Sequence, residues 1–375
     1  MSACHRVGNE MSASIDTVLP SESNSGATFL RDARFFFKLG ERAVASQMKS
    51  QSLWLASLDA ESGLRFPSLA FAYWSANRAV QTFERLDVPL ASAWLHALHG
   101  TKVAQMMASV VEWLAQSVHR PQIPTAHTAA VLTLRQTRDR ISKWPADEPL
   151  LHVMSRDEFR LGGATLRGVM PVMAEVAAIL ADGKYDTSSL SLIHGDIHFG
   201  NIMTDLNRWW LIDPRGRFPG GGRLFDPYYE WGKIYHECHA QYSNVVRGLL
   251  RVEAGDNGLR FRATLEDRAF YVEVERAVAA SLARLAPHYG DARIDFNRLA
   301  LFVGLILLGI VPFHATHPGR PATFVAAGLH ALNAFIDAEE ENIVLERLPA
   351  LPFTCAEETA LCTPSENGSI NSNID

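Results

Sequence analysis

Apolar positions change their period along this chain. Up to about Pro89 they come in short runs, rich in aromatic and β-branched residues and bounded by turn residues. "ATFLRD" and "ARFFFKLG" predict a hairpin. "LAFAYWSAN" and "RAVQTFERLD", after the turn around Gly63 and Pro67, predict a second strand pair. Between the pairs, "ERAVASQMKSQSLWLASL" carries Ala43, Met48 and Leu55 at roughly helical spacing. Beyond Pro89 the pattern is mainly helical. Val103, Met106, Met107, Val110 and Leu114 mark one apolar face, Leu166, Met170, Met173, Val176 and Leu180 a second, and a third helix runs from about Leu265 to Leu285. These stripes are expected to pack a core. So is the most apolar run, "LALFVGLILLGIVPF", a helix expected to end at Pro312; at 15 residues it falls short of the roughly 20 that a membrane span needs.

Composition narrows the class without adding chemistry. A length of 375 residues suits two lobes or domains better than one minimal core. Hydrophobic residues make up 47% and charged residues 20%, a soluble balance, and the net charge of −6 argues against nucleic-acid or anionic-membrane partners. Cys4, Cys238, Cys355 and Cys362 show no C-x-x-C pairing, which favours a reducing compartment. The first residues lack an apolar signal core, and a cytoplasmic location is expected. Residues 1–14 and 351–375 are polar and read as disordered tails. Oligomeric state is left open.

The helical region is interrupted by "SLIHGDIHFGNIMTDLNRWWLIDPRG", Ser191 to Gly216. Two strand-like pieces, "SLIH" and "WWLID", are expected to form a hairpin that carries Asp213 back beside Asn201 and Asp196. Phosphoryl transfer to a hydroxyl needs that set: one carboxylate to accept or orient the hydroxyl proton, and an amide oxygen with a second carboxylate to hold Mg²⁺. Asp205 would merely sit in the hairpin turn. A plain strand–turn–strand is the bland alternative. A zinc site built on His194 and His198, or on "HECH" at 236–239, lacks a third ligand at a convincing spacing. His194, Asp196 and Asn201 keep the spacing of the protein-kinase catalytic loop, with Gly195 in the arginine position and "IDP" in place of "DFG".

With "HGDIHFGN" followed by "LIDPRG" and "FDPYYEWGKIYHE", the chain resembles the aminoglycoside phosphotransferase and choline kinase superfamily, over roughly residues 18 to 340. The resemblance implies a bilobal α+β protein-kinase-like fold. A small antiparallel β-sheet lobe with one main helix (15–88) would bind nucleotide, and a larger, mostly helical lobe (89–350) would hold the catalytic and acceptor sites. It implies an ATP- and Mg²⁺-dependent O-phosphotransferase acting on a small hydroxylated molecule such as a sugar or an aminoglycoside. Asp196 would be the base or orienting carboxylate, His194 a brace for the loop, and Asn201 and Asp213 the Mg²⁺ ligands. Asp226 would be the buried acid that bonds the loop backbone, and could also cap the helix opened by Pro227.

Upstream, the resemblance places a phosphate-facing loop at "SESNSG", with Ser23, Ser25 and Gly26, and a phosphate-binding lysine at Lys38, at the end of its strand. The adenine edge would meet backbone groups near Glu84 and Leu86. One departure stands out: the glutamate expected to pair with the lysine is missing, because no acid lies between Glu41 and Asp59. Gln47 or Gln51 would stand in, without ion pairing. The glycine run in "FPGGGRLFDP" reads as a flexible loop near the acceptor. His314 and His317 read as surface loop, or alternatively as lining of the acceptor site. A non-catalytic nucleotide-binding module is the competing reading. A protein kinase is disfavoured by Gly195 and by the lack of an A-P-E segment.

Overall fold

The computed structural model describes residues 16–18, 27–95, 99–119, 129–186 and 190–353. Its first part is a five-stranded antiparallel sheet, ordered β1-β2-β3-β5-β4, made of β1 (Asp16–Val18), β2 (Thr28–Arg31), β3 (Phe35–Glu41), β4 (Leu69–Trp74) and β5 (Arg78–Glu84). Helix α1 (Ala43–Leu55) crosses over between β3 and β4, followed by the short α2 (Ala60–Gly63). The predicted hairpin and the second strand pair both form. Ala45 and Met48 of α1 pack on Ala79 with Val44 and Trp74, a core of a few side chains. The sheet is steadied as well by polar groups, since Gln81 on β5 donates to Met48 O at 2.9 Å and Ser52 Oγ at 2.8 Å on α1.

The larger part is mostly helical. Helices α3 (Gly100–Trp113), α4 (Ala129–Ile141), α5 (Pro149–Met154) and α6 (Val169–Ala181) come first. They are followed by α7 (Pro227–Cys238), α8 (Tyr242–Val246), α9 (Leu265–Leu285), α10 (Phe296–Ile310) and α11 (Arg320–Glu340). The chain thus has the expected α+β make-up, a small antiparallel sheet with one main helix followed by a larger, mostly helical part. Leu299, Leu301, Val303, Leu305 and Leu307 of α10 are fully enclosed. Phe296–His314 is the one stretch among the described residues long and apolar enough to cross a membrane, and it lies in the core, packed on α4, α7 and α11.

The second apolar stripe ran too far. Leu166 lies on a strand, β7 (Ala164–Arg167), which pairs with β6 (Glu158–Leu161), and Met170 is 65% exposed. The helix starts at Val169 because residues 158–167 form a hairpin, turned by Gly162 and Gly163 at positive φ. That hairpin joins β12 (Arg251–Gly255) and β13 (Gly258–Arg262) in a four-stranded sheet with no counterpart in the sequence expectation. Near the end of the described chain Leu351 is buried and Phe353 bridges to Phe261, inside the stretch expected to be tail.

Candidate active site

The hairpin at the centre of the chain differs from the expected one. Ile202–Thr204 (β9) pairs with Trp209–Leu211 (β10), Leu211 opposite Ile202. The earlier run, Ser191–Leu192 (β8), pairs instead with Leu224–Phe225 (β11). Two apolar runs flanking a polar loop do not say which pairs with which; the tight turn at Asp205 decides it. Asp205 accepts from Asn207 N at 3.0 Å and Arg208 N at 2.7 Å, closing the β9–β10 connection. One bond past the paired strands, Ile212 N donates to Asn201 O at 3.0 Å, which sets Asp213 beside Asn201.

The loop between β8 and β9 is held from several sides. His194 is enclosed, and its Nε2 lies 3.0 Å from Ile212 O, while Arg215 N donates to His194 O at 2.8 Å. Burial keeps the His194 imidazole below its usual pKa, so it braces the two segments as a neutral ring. Gly195 has φ 77, and a Cβ there would meet the Phe218 ring at 2.3 Å, so no side chain fits where a protein kinase carries arginine. Its N–H and that of His194 donate to the two oxygens of Glu230, at 2.9 and 2.6 Å. Glu237 accepts from Phe199 N at 3.1 Å.

Those two glutamates, rather than Asp226, bond the loop backbone. Asp226 caps α7 through Tyr228 N at 2.9 Å and pairs with Arg298. Every residue of α7 is buried, and Glu230, Lys233 and Glu237 stand at i, i+3 and i+7, one face turned to the loop. The signal was present in "YYEWGKIYHE", three charges at helical spacing among aromatic residues. Lys233 is the residue that sequence reasoning missed altogether. Its ammonium lies 2.8 Å from Asp196 Oδ1; the lysine side chain is 6% exposed and the aspartate 39%, open to a substrate. Burial works against ionisation of Asp196, yet Lys233, His198 and Arg215 outweigh it and hold the carboxyl well below the usual range. Burial also depresses His198 to a pKa of about 4, so at neutral pH the imidazole is uncharged and the lysine carries this effect.

Asn201 donates from Nδ2 to Asp196 O at 2.8 Å and to Asp196 Oδ2 at 3.3 Å. Its amide is thereby fixed, and its oxygen accepts no hydrogen bond from a described residue. Asp213 has φ 54, an uncommon conformation for a side-chain-bearing residue and a known mark of functional positions. One of its oxygens takes Lys38 Nζ at 2.7 Å, and the other has no protein partner among the described residues. The amide oxygen of Asn201 and the second carboxylate oxygen of Asp213 are hard donors of the kind that suits Mg²⁺. Among the described residues no group of three His, Cys, Asp or Glu could hold a metal by itself, so substrate or water oxygens would complete such a shell.

Lys38 sits in the middle of β3 rather than at its end, and is 2% exposed. Besides Asp213 it donates to Gln51 Oε1 on α1 at 3.2 Å, so Gln51, not Gln47, occupies the glutamate's place. Glu84 closes β5, and its N–H is taken by Ser68 O at 2.8 Å; Leu86 follows the strand. Ser23, Ser25 and Gly26 lie outside the described residues. The glycine run forms a tight turn, Phe218 N to Gly222 O at 2.9 Å, pinned by Phe218 stacked on Phe225. His314 is 3% exposed, packed on Phe324 and Tyr242, so it is no surface residue.

No protein-family model matches the chain, and no curated protein does. Solved structures similar to it include a glucosamine kinase, 12% identical over 90% of this chain and 84% of that one, TM-score 0.44. They also include the aminoglycoside phosphotransferase APH(4)-Ia, 14% identical over 87% and 93%, TM-score 0.48. A third is the aminoglycoside phosphotransferase APH(3'')-Id from Streptomyces rimosus, 16% identical over 81% and 93%, TM-score 0.39. Likeness at this level fixes neither a substrate nor a residue's role.

Proposed function

We propose that the protein is an ATP- and Mg²⁺-dependent phosphotransferase acting on a hydroxyl of a small molecule, the sheet lobe of residues 15–88 binding nucleotide and residues 89–350 the acceptor. One observation carries the reading: Asn201 is hydrogen-bonded to Asp196, Ile212 N donates to Asn201 O and so sets Asp213, next in the chain, beside that pair, and the buried Lys38 ammonium reaches Asp213 from the sheet lobe.

In this reading Lys38 meets the α and β phosphate oxygens, exchanging part of its contact with Asp213 for them. Mg²⁺, held by Asn201 and Asp213, would offset charge on the phosphates. Asp196 accepts the acceptor's hydroxyl hydrogen and aims the oxygen. That oxygen bonds to the γ-phosphorus as the bond from phosphorus to the ADP oxygen breaks. The proton passes to Asp196 late, when the oxygen bonded to phosphorus has become strongly acidic. A carboxyl held so far below the usual range is a poor early base and a good orienting group, which suits a loose transition state.

The test is ADP release with Mg²⁺, ATP and a panel of sugars, aminoglycosides and amino alcohols. Asp196→Ala should abolish transfer while ATP binding stays nearly intact; retained transfer would assign the hydroxyl to another group. Asp213→Ala should weaken Mg²⁺–ATP binding itself. Gln51, a neutral partner for Lys38, favours the second reading, a nucleotide-binding module without catalysis. That reading wins where ATP raises the melting temperature and no acceptor raises ADP release.

A further inference from the structure

Apart from Glu230 and Glu237, which are taken up by the loop backbone, the charged groups on the helical side of Asp196 are basic. Arg215, two residues after Asp213, lies against the loop, its Cβ 3.3 Å from where a Cβ on Gly195 would stand. Its guanidinium is tethered by neutral oxygens, the Tyr229 hydroxyl on α7 and Gln136 Oε1 on α4, the latter at 3.2 Å. Arg140, one turn beyond Gln136 on α4, donates to Gly309 O at 3.2 Å, with Phe313 5.0 Å from its guanidinium carbon. Neither arginine forms an ion pair with a carboxylate among the described residues. Burial, then the charge of Arg215, pulls the Arg140 pKa down, against the raising pull of Tyr229 and Asp196. Lys233 completes the set and is already engaged by Asp196.

Two partly buried guanidiniums repelling one another, each fixed by neutral partners, are a costly arrangement for a protein alone. A planar fork held this way is prepared for an anion, which it can grip through paired N–H groups. A cationic acceptor would meet repulsion from both. Resting on the phosphotransferase reading above, we propose that the acceptor itself carries an anionic group, a carboxylate or a phosphate ester. Arg140 and Arg215 would bind that group while a hydroxyl of the same molecule sits at Asp196. The donor's γ-phosphate is the other anion these arginines could serve, and the experiment separates the two.

Glucose, glucosamine, glucuronate and glucose 6-phosphate form a series that differs in charge at C2 or C6 and shares the hydroxyls on C1, C3 and C4. With Mg²⁺ and saturating ATP, kcat/KM for ADP release should be at least ~10-fold higher for an anionic member than for glucose, and glucosamine should be the poorest. Arg140→Gln should raise KM for the anionic acceptor by ~10-fold or more, as expected for loss of a charged hydrogen bond, with KM for ATP within about 2-fold of the parent. Arg215→Gln should act in the same direction. Glucose or glucosamine turned over as well as the anions would overturn the inference and leave phosphotransfer standing. An equal rise in KM for ATP in Arg140→Gln would assign the pair to the donor and overturn it as well. Should ATP with Mg²⁺ fail to raise the melting temperature, the phosphotransferase reading itself fails, and the acceptor class with it.

Discussion

Lys38 Nζ lies 2.7 Å from Asp213 Oδ1, a contact that joins the sheet lobe to the segment after β10 across 175 positions of sequence. The second partner, Gln51 Oε1 at 3.2 Å, is uncharged, so the carboxylate that balances the lysine belongs to the proposed metal site. In the proposed reading, nucleotide binding and the order of Asp213 are therefore linked. Lys38→Met should raise KM for ATP and lower kcat/KM by ~100-fold, the scale of losing one preorganised donor on a transferring group. Steady-state kinetics over a range of ATP concentrations measures it, and unchanged affinity for ATP would remove Lys38 from the phosphates.

Lys233 makes a second buried pairing, with Asp196, and its effect is on protonation. The lysine lowers the aspartate's pKa, so in the parent protein the acid limb of kcat lies below the usual carboxylate range. In Lys233→Met that support is lost and burial is left unopposed by it. The acid limb should then move to higher pH by about one unit or more, the size expected when an adjacent opposite charge is removed. A pH profile of kcat settles the point, because a helix that was merely loosened would lower the rate without moving the limb.

Glu230 serves two donors at once, His194 N and Gly195 N. In Glu230→Gln one amide oxygen remains to accept, and one of the two enclosed N–H groups loses its partner. The expected cost is ~1–3 kcal/mol in stability. A fall in kcat larger than any change in KM for ATP should accompany it, since the loop bearing Asp196 loosens while Lys38 keeps its place. Denaturant unfolding together with kinetics provides both readings, and full stability in the variant would show that the loop needs no such brace.

Glu237 carries a pH dependence of its own. Burial lifts its pKa from an ordinary value of 4.5 to about 7, despite hydrogen bonds from Ser243, Phe199 and Tyr271 that pull it down. The folded chain thus holds this proton more tightly than the unfolded chain. Its contribution to stability is greatest below about pH 4.5, falls as pH rises towards 7, and is level above that. Glu237→Gln has no such proton to lose. The difference in unfolding free energy between parent and variant should therefore shrink steadily from pH 5 to pH 7, and a constant difference would contradict the shift.

The candidate residues Asp196, Asn201 and Asp213 stood out because they crowd one short stretch with fixed spacing, and the turn of the chain there sets Asp213 beside Asn201. Which runs paired was not legible: "SLIH" and "IMT" are equally apolar, and the choice fell to Asp205 and a partner at Leu224 that lies far along the chain. Lys233 escaped for a similar reason. Its role depends on α7 docking under the loop, and a lysine in a helix usually reads as a solvated one. The sequence left Gln47 or Gln51 as partners for Lys38, since no acid lies between Glu41 and Asp59, and the lysine donates to Gln51. The hairpin at 158–167 was lost to an apolar stripe that happened to continue in helical register through Leu166.

Helix α1 does more than carry Gln51. Trp54 near its end is fully enclosed, donates its indole N–H to Ile193 O at 2.9 Å, and lies edge-on to the His194 ring. On the other side Gly216 passes so close to Ser50 and Gln51 that a Cβ there would stand 2.6 Å from backbone. Outward movement of the helix here would strand an indole donor and open a gap beside His194. In the proposed reading, this seam holds α1 against the loop bearing Asp196 before any substrate arrives.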